Sequence, residues 1–371
     1  MKPNIILVLL DGSRTDRLSI SKDFLSIQKK GTLVNNVTAA YPYTFAAINA
    51  IFTGLFGKEN GVDAYYKMFK LKESVHFLPE ILQSHGYFTA CDLISEKVIS
   101  KRGFNIYQSH DEYVDDLTKK HPDLIRNCFK ESNGKPIFTF LQFSKIHTVT
   151  VSEVLKKYDW NDKNYYRNQK NNLINYDDAF YEAAKYAKII QSTIDKLNKS
   201  NETIIIFFCD HGTGIGERFG ERNYGSFTYE ETIRAFFLFM GKDIVKNRIS
   251  KKLRENIDIF PTILDFIDSN VQFHGTGQSF NDYLKNNDKE LDDKPYVYSE
   301  TGALQGPYPS PTKPNVFCIK TVEHKLIYLK TPEEWRLFNL KNDPNEIHNI
   351  YNENEIVSKK LKKKLIEWIN R

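Results

Sequence analysis

Cysteine is scarce in this chain: four thiols among 371 residues, Cys91, Cys128, Cys209 and Cys318, stand far apart and form no Cys-x-x-Cys pair. That spacing excludes a zinc ribbon and a disulfide framework, and it makes a reducing compartment, the cytoplasm, the expected location. Long apolar runs are absent too. No stretch approaches the roughly 18 to 20 residues of a membrane-crossing helix. The opening run 5–10 is too short for a signal peptide, and Asp11, Arg14 and Asp16 follow it closely. Neither sign of charge dominates, since 52 Lys and Arg against 47 Asp and Glu leave +5. Much of that excess gathers at Lys359, Lys360, Lys362, Lys363 and Lys364, which reads as a solvated helix face. No nucleic-acid partner is therefore expected, and no feature sets an oligomeric state.

The rest is globular in composition, 40% hydrophobic and 27% charged, which suffices for a large core with an appendage. Residues 4–10 form a continuous β-rich run ending in Asp11-Gly12, the pattern of a central parallel strand that delivers a carboxylate at its C-terminal edge. Residues 203–209 end likewise in Asp210-His211-Gly212, and residues 136–143 lead towards His147. Helical periodicity marks 44–52, 77–84 and 177–197. The alternation predicts an α/β fold with a doubly wound, mostly parallel sheet flanked by helices. Residues 158–175, rich in Asn, Lys and Tyr, read as an irregular insertion facing the site, and polar residues 281–294 read as a boundary. Beyond them, short strands at 296–299, 316–321, 325–329 and 335–340 and a closing helix predict a small antiparallel sheet. The expected division is a catalytic domain over 1–285 and a C-terminal subdomain over 286–371.

A divalent cation needs several oxygen or nitrogen ligands from different strands, and Asp11 with Asp210 and His211 supplies three at strand ends. Each alone is as well explained by a turn or a cap; together, after two buried strands, they point to a metal. Thr44 opens a helix, where free N–H groups and the helix dipole favour an anion. As a bare N-cap it would only hold the helix, but beside a cation its hydroxyl becomes a nucleophile.

The opening residues 3–18, with Asp11, resemble the first strand and metal carboxylate of the sulfatase branch of the alkaline-phosphatase superfamily. Residues 44–54 resemble its nucleophile helix, whose closing Thr53-Gly54 sets Thr44 at the nucleophile position. Asp210-His211-Gly212, Tyr229-Glu230-Glu231, and Asp258 with Pro261 follow in the family's order, and residues 325–346 resemble its C-terminal subdomain. The resemblance implies one divalent metal, with manganese, zinc, magnesium and calcium all open, held by Asp11, Thr44, Asp210 and His211. It also implies a substrate-facing His147, and Asn49 one helical turn in as an amide donor to an ester oxygen. His274 is open between a distal ligand and a plain loop residue.

Three departures bear on the substrate. The Cys/Ser-x-Pro-x-Arg signature that yields formylglycine reads Thr44-Phe45-Ala46-Ala47-Ile48, the second carboxylate of the usual Asp-Asp pair is Gly12, and the usual lysine falls at Gly225. A threonine nucleophile resembles the phosphate-acting branches. The expected activity is therefore hydrolysis or transfer of a phosphoester, a phosphodiester foremost, on a small molecule, glycan or lipid-headgroup conjugate. Thr44 would attack, a covalent phosphothreonine would follow, and His147 would protonate the leaving group. A sulfate-ester hydrolase is the second reading, and a non-catalytic binding protein that keeps the fold is the third.

Overall fold

The computed structural model describes residues 2–67, 70–150, 159–304 and 306–371. Thirteen strands form two sheets among these residues: β1 Asn4–Leu10, β2 Gly31–Thr38, β3 Phe88–Leu93, β4 Ile106–Ser109, β5 Ile137–Phe143, β6 Thr203–Phe208, β7 Arg234–Gly241, β8 Arg248–Ser250 and β9 Arg254–Glu255 in the large one, and β10 Val297–Thr301, β11 Val316–Lys320, β12 His324–Leu329 and β13 Glu334–Asn339 in the small one. The large sheet runs β4-β3-β5-β1-β6-β7-β2-β8, with β9 also on β2. Its β4-β3-β5-β1-β6 stretch is parallel throughout, whereas β7 runs against β6 and β2. The small sheet is antiparallel in sequence order.

Hydrophobicity fixes the centre. β1 is covered on both faces, so residues of both parities are apolar, and Ile5, Ile6, Leu7, Val8, Leu9 and Leu10 are fully buried. Each contributes roughly 1.5 to 3 kcal/mol by leaving water. Helices Lys22–Gln28, Leu117–Glu131 and Gln169–Lys196 pack on this core through Phe24, Ile125, Phe180 and Ile190. Helix Gln169–Lys196 starts eight residues before the periodicity suggests, so most of the 158–175 stretch is helical and not irregular. Buried Tyr165 and Tyr176 anchor it, which composition alone does not reveal; Tyr158 lies outside the described residues.

Helix Thr44–Thr53 is apolar nearly all round, with every residue from Phe45 to Thr53 buried. One flank meets the large sheet. The other meets the small sheet and the terminal helix Glu355–Ile369 in a shared cluster that joins Phe45, Ala46 and Ala50 to Phe317, Leu337, Leu365 and Trp368. The segment leading into the Thr44 helix is stitched to β10 as well: Glu300 N–H and Ser299 Oγ both donate to Ala40 O (3.0 and 3.2 Å), and Tyr41 Oη donates to Glu300 Oε1 at 2.6 Å. Within the polar 281–294 stretch, helix Asn281–Lys285 buries Leu284, and buried Lys294 pairs with Glu255 and Asp258 at 2.6 Å each. All four cysteines are buried thiols. No described helix is long and apolar enough to cross a membrane.

Candidate active site

The site is a product of register. β1 pairs in parallel with β6 through Leu9 and Phe208 and with β5 through Leu10 and Phe143, so the chain next delivers Asp11, Asp210 and Ser144 side by side beyond the C-terminal edge. Asp11 N–H extends the ladder to Phe143 O at 3.0 Å. Ligands of open α/β sheets bind at that edge.

Thr44 is the first residue of its helix. Extended Tyr43 holds the cap position without a side-chain bond, so the Thr44 hydroxyl is not used as a cap. It points instead to the carboxylate, with Oγ1 3.3 and 3.4 Å from Asp11 Oδ1 and Oδ2 and 3.3 Å from His211 Nε2. Asp210 Oδ2 lies 3.6 Å from His211 Nε2, which is 3.7 Å from Asp11 Oδ1. Thr44, Asp11, Asp210 and His211 thus share one centre.

His147 belongs to the same centre. Its Nε2–H donates to Asp11 Oδ1 at 2.5 Å, and its ring stacks on His211 with centroids 5.3 Å apart. Its place is made by Gly12, whose φ of +73° is left-handed and where a Cβ would stand 2.8 Å from both His147 Cε1 and Thr213 Oγ1. The imidazole fills space that a side chain at position 12 would need. The sequence places His147 facing the substrate; here its ring is only 1% exposed and its Nε2 meets Asp11, the carboxylate of the metal set.

Asn49 is not brought to the site. Its amide donates to Phe45 O at 2.7 Å and Val98 O at 3.1 Å, inside the core, because five residues at ~100° each carry it roughly 140° round the helix from Thr44. His274 is also remote. It sits exposed beside Gly275, which packs on Gly54 O at the opposite end of the Thr44 helix.

Sequence reading missed three neighbours. Gln142 Nε2 and Ser144 Oγ donate to Asp11 Oδ2 at 2.8 and 3.1 Å, and Tyr224 lays its ring 4.6 and 4.8 Å from those of His147 and His211. A glutamine near the end of a fully buried strand was a usable signal; for Tyr224 the irregular stretch around it offers none.

The electrostatics suit a cation. Burial drives the Asp11 carboxyl up, but the charges and hydrogen bonds of His147, with His211 and Gln142, outweigh it and hold it well below the usual range. Asp210 goes the other way, pushed well up by burial and by the Asp11 charge. Both Asp210 oxygens are buried with no hydrogen-bond partner among the described residues. Burial lowers His211 to about 4, and its Nδ1–H donates to Gly212 O at 2.7 Å, so Nε2 offers a lone pair. One ligand atom each of Asp11, His147 and His211 lie within 4.8 Å of one another. This donor set fits a divalent metal.

A family model for sulfatases matches residues 3–269, and one for the C-terminal region of N-sulphoglucosamine sulphohydrolase matches residues 220–371. The chain is 30% identical over 173 residues to an N-acetylglucosamine-6-O-sulfatase of Bacteroides thetaiotaomicron, a stretch covering 45% of this chain and 29% of that protein. It spans less than a third of the length of each curated relative it matches. Among solved structures, one determined in complex with its substrate D-glucosamine-2-N,6-O-disulfate has a TM-score of 0.76 at 19% identity, over 99% of this chain and 97% of the other. A phosphonate monoester hydrolase of Agrobacterium radiobacter has a TM-score of 0.75 at 15% identity, over 99% and 95%. At such identities these likenesses concern the fold.

Proposed function

The chain belongs to the sulfatase family, and from that premise we propose that it is a metal-dependent hydrolase of sulfate esters on a sugar, with Thr44 as its nucleophile. The observation that carries this reading is the Thr44 hydroxyl, 3.3 Å from both Asp11 Oδ1 and His211 Nε2. Asp11, Asp210, His211 and His147 would hold the cation, which when bound acidifies the Thr44 hydroxyl and offsets charge on the ester oxygens. Two imidazoles beside two carboxylates favour manganese or zinc over calcium, whose ligands are oxygens. Thr44 Oγ1 attacks sulfur as its hydroxyl gives up its proton, the bond from sulfur to the sugar oxygen breaks, and a proton passes to that oxygen as it leaves as an alcohol. Water then attacks the threonyl sulfate at sulfur and frees Thr44. Gln142 and Ser144 keep Asp11 oriented through both steps. What supports a sugar sulfate as the substrate class is the stretch 30% identical to an N-acetylglucosamine-6-O-sulfatase.

A phosphoester, the foremost expectation from sequence, becomes the second reading. Threonine at position 44 in place of a formylglycine precursor favours it, as does the fold shared with a phosphonate monoester hydrolase. The test is a comparison of kcat/KM for 6-O-sulfated N-acetylglucosamine, a nitrophenyl sulfate and a nitrophenyl phosphodiester on protein loaded in turn with manganese and zinc. The sulfates are expected to be faster. A faster diester under both metals overturns the first reading and installs the second; metal-loaded protein that turns over none of the three overturns both in favour of a binding protein.

A further inference from the structure

A second cluster of ligand-type side chains lies further along the same sheet edge. Asp92 is the penultimate residue of β3, His110 follows β4, and His121 sits on helix Leu117–Glu131; all three are buried, and one ligand atom of each lies within 4.8 Å of the others. We propose that Asp92, His110 and His121 form a second divalent-metal site of the zinc class, separate from the site at Thr44.

Two nitrogens face one carboxylate oxygen: Asp92 Oδ1 is 2.6 Å from His110 Nδ1 and 3.9 Å from His121 Nε2. His121 Nε2 is buried and makes no hydrogen bond among the described residues. A cation with bonds of about 2.0 to 2.1 Å to both atoms would draw the 3.9 Å gap in by about half an ångström. The outward nitrogens are tied in the manner of metal-bound imidazoles. His110 Nε2 donates to Glu112 Oε2 at 2.9 Å, and His121 Nδ1 lies 2.6 Å from Tyr186 Oη. Gln108 Nε2 holds the other oxygen of Asp92 at 2.6 Å.

Charge argues the same way. Two buried carboxylates, Asp92 and Glu112, meet the two ring nitrogens of His110. The nearest ammonium, Lys120, is 4.0 Å from Asp92 but pairs with Asp115 at 2.8 Å. A dication at Asp92 would offset the charge of these buried carboxylates, which is costly to bury without a partner. Binding opens the 2.6 Å contact to about 3.3 Å, the separation of ligands around tetrahedral zinc. The site also reaches the catalytic one, because Ser144 donates its N–H to Glu112 Oε2 at 3.1 Å and its Oγ to Asp11 Oδ2. The ion would pin β3, β4 and helix Leu117–Glu131 behind the nucleophile pocket.

The experiment uses the full chain with the D11N and D210N substitutions combined, which removes both carboxylates of the first site. Zinc is added, excess is removed by desalting, and bound metal is counted by mass spectrometry beside the melting temperature. One zinc per chain is expected, with Tm falling on chelation and recovering with zinc, and His121→Gln added to this background should lose that zinc. A folded double variant that retains none overturns the site. Should that variant fail to fold, cobalt titration of the wild-type chain decides: two equivalents support the proposal, and saturation at one refutes it.

Discussion

Gly12→Ala probes the arrangement that sets this site apart, the imidazole of His147 lying where a side chain at position 12 would project. The cost has two sources. At φ +73° a Cβ costs roughly 1 to 2 kcal/mol on conformational grounds. Its approach to 2.8 Å of His147 Cε1 and Thr213 Oγ1 adds an overpacking cost of about 1 to 3 kcal/mol. Urea unfolding in the presence of chelator should therefore show a loss of about 2 to 5 kcal/mol. Because one of the two clashes is with His147, the same substitution in a His147→Ala background should cost at least ~1 kcal/mol less. The displaced ring also gives up its bond to Asp11, so calorimetric titration should show metal binding at least ~10-fold weaker than in the wild type. Additivity of the two substitutions to within ~0.5 kcal/mol would refute the claim that His147 fills that space.

Thr44→Ala should leave stability within about 1 kcal/mol, because its hydroxyl caps nothing, while turnover falls by several orders of magnitude and Thr44→Ser restores part of it; near wild-type rates in the alanine variant would remove Thr44 from the chemistry. Asn49→Leu should cost about 1 to 3 kcal/mol in unfolding experiments through its lost bonds to Phe45 O and Val98 O, with kcat unchanged; a selective fall in kcat would return Asn49 to the site. Burial lifts Glu300 from 4.5 to about 7 against the lowering hydrogen bond from Tyr41, so the folded protein keeps a proton that the unfolded chain has lost. That contribution, roughly 3 kcal/mol, is full below pH 4.5 and drains away as pH rises to 7, and Glu300→Gln should flatten this part of the stability curve; an unchanged slope would refute it.

The strand ends were legible because a buried parallel strand declares itself as an uninterrupted apolar run, and whatever polar residue ends it stands at the sheet edge. That is why Asp11, Asp210 and His211 could be read from the sequence and the structure brings them together with Thr44. Gln142, Ser144 and Tyr224 take their roles from register and ring packing between segments far apart in sequence, which no local pattern encodes. Asn49 misled for the same reason, since its direction is decided by the carbonyl of Val98. The strands of the small sheet were readable to within two residues, whereas helix Gln169–Lys196 was cut short because tertiary burial of Tyr176 overrides a poor local composition.

The stitching of β10 to the segment before Thr44 limits how this protein can be recombined. The boundary we place after residue 285 looks like a seam at which the C-terminal part could be exchanged for a relative's. Yet Ala40 and Tyr41, only four and three residues ahead of Thr44, are held from the far side of that seam by Ser299 and Glu300. A chimaera cut there would keep every side chain of the candidate site and still inherit a Thr44 whose anchor was fitted to another sequence. Working hybrids should therefore carry residues 39–43 together with the small sheet, as one heritable unit discontinuous in the chain.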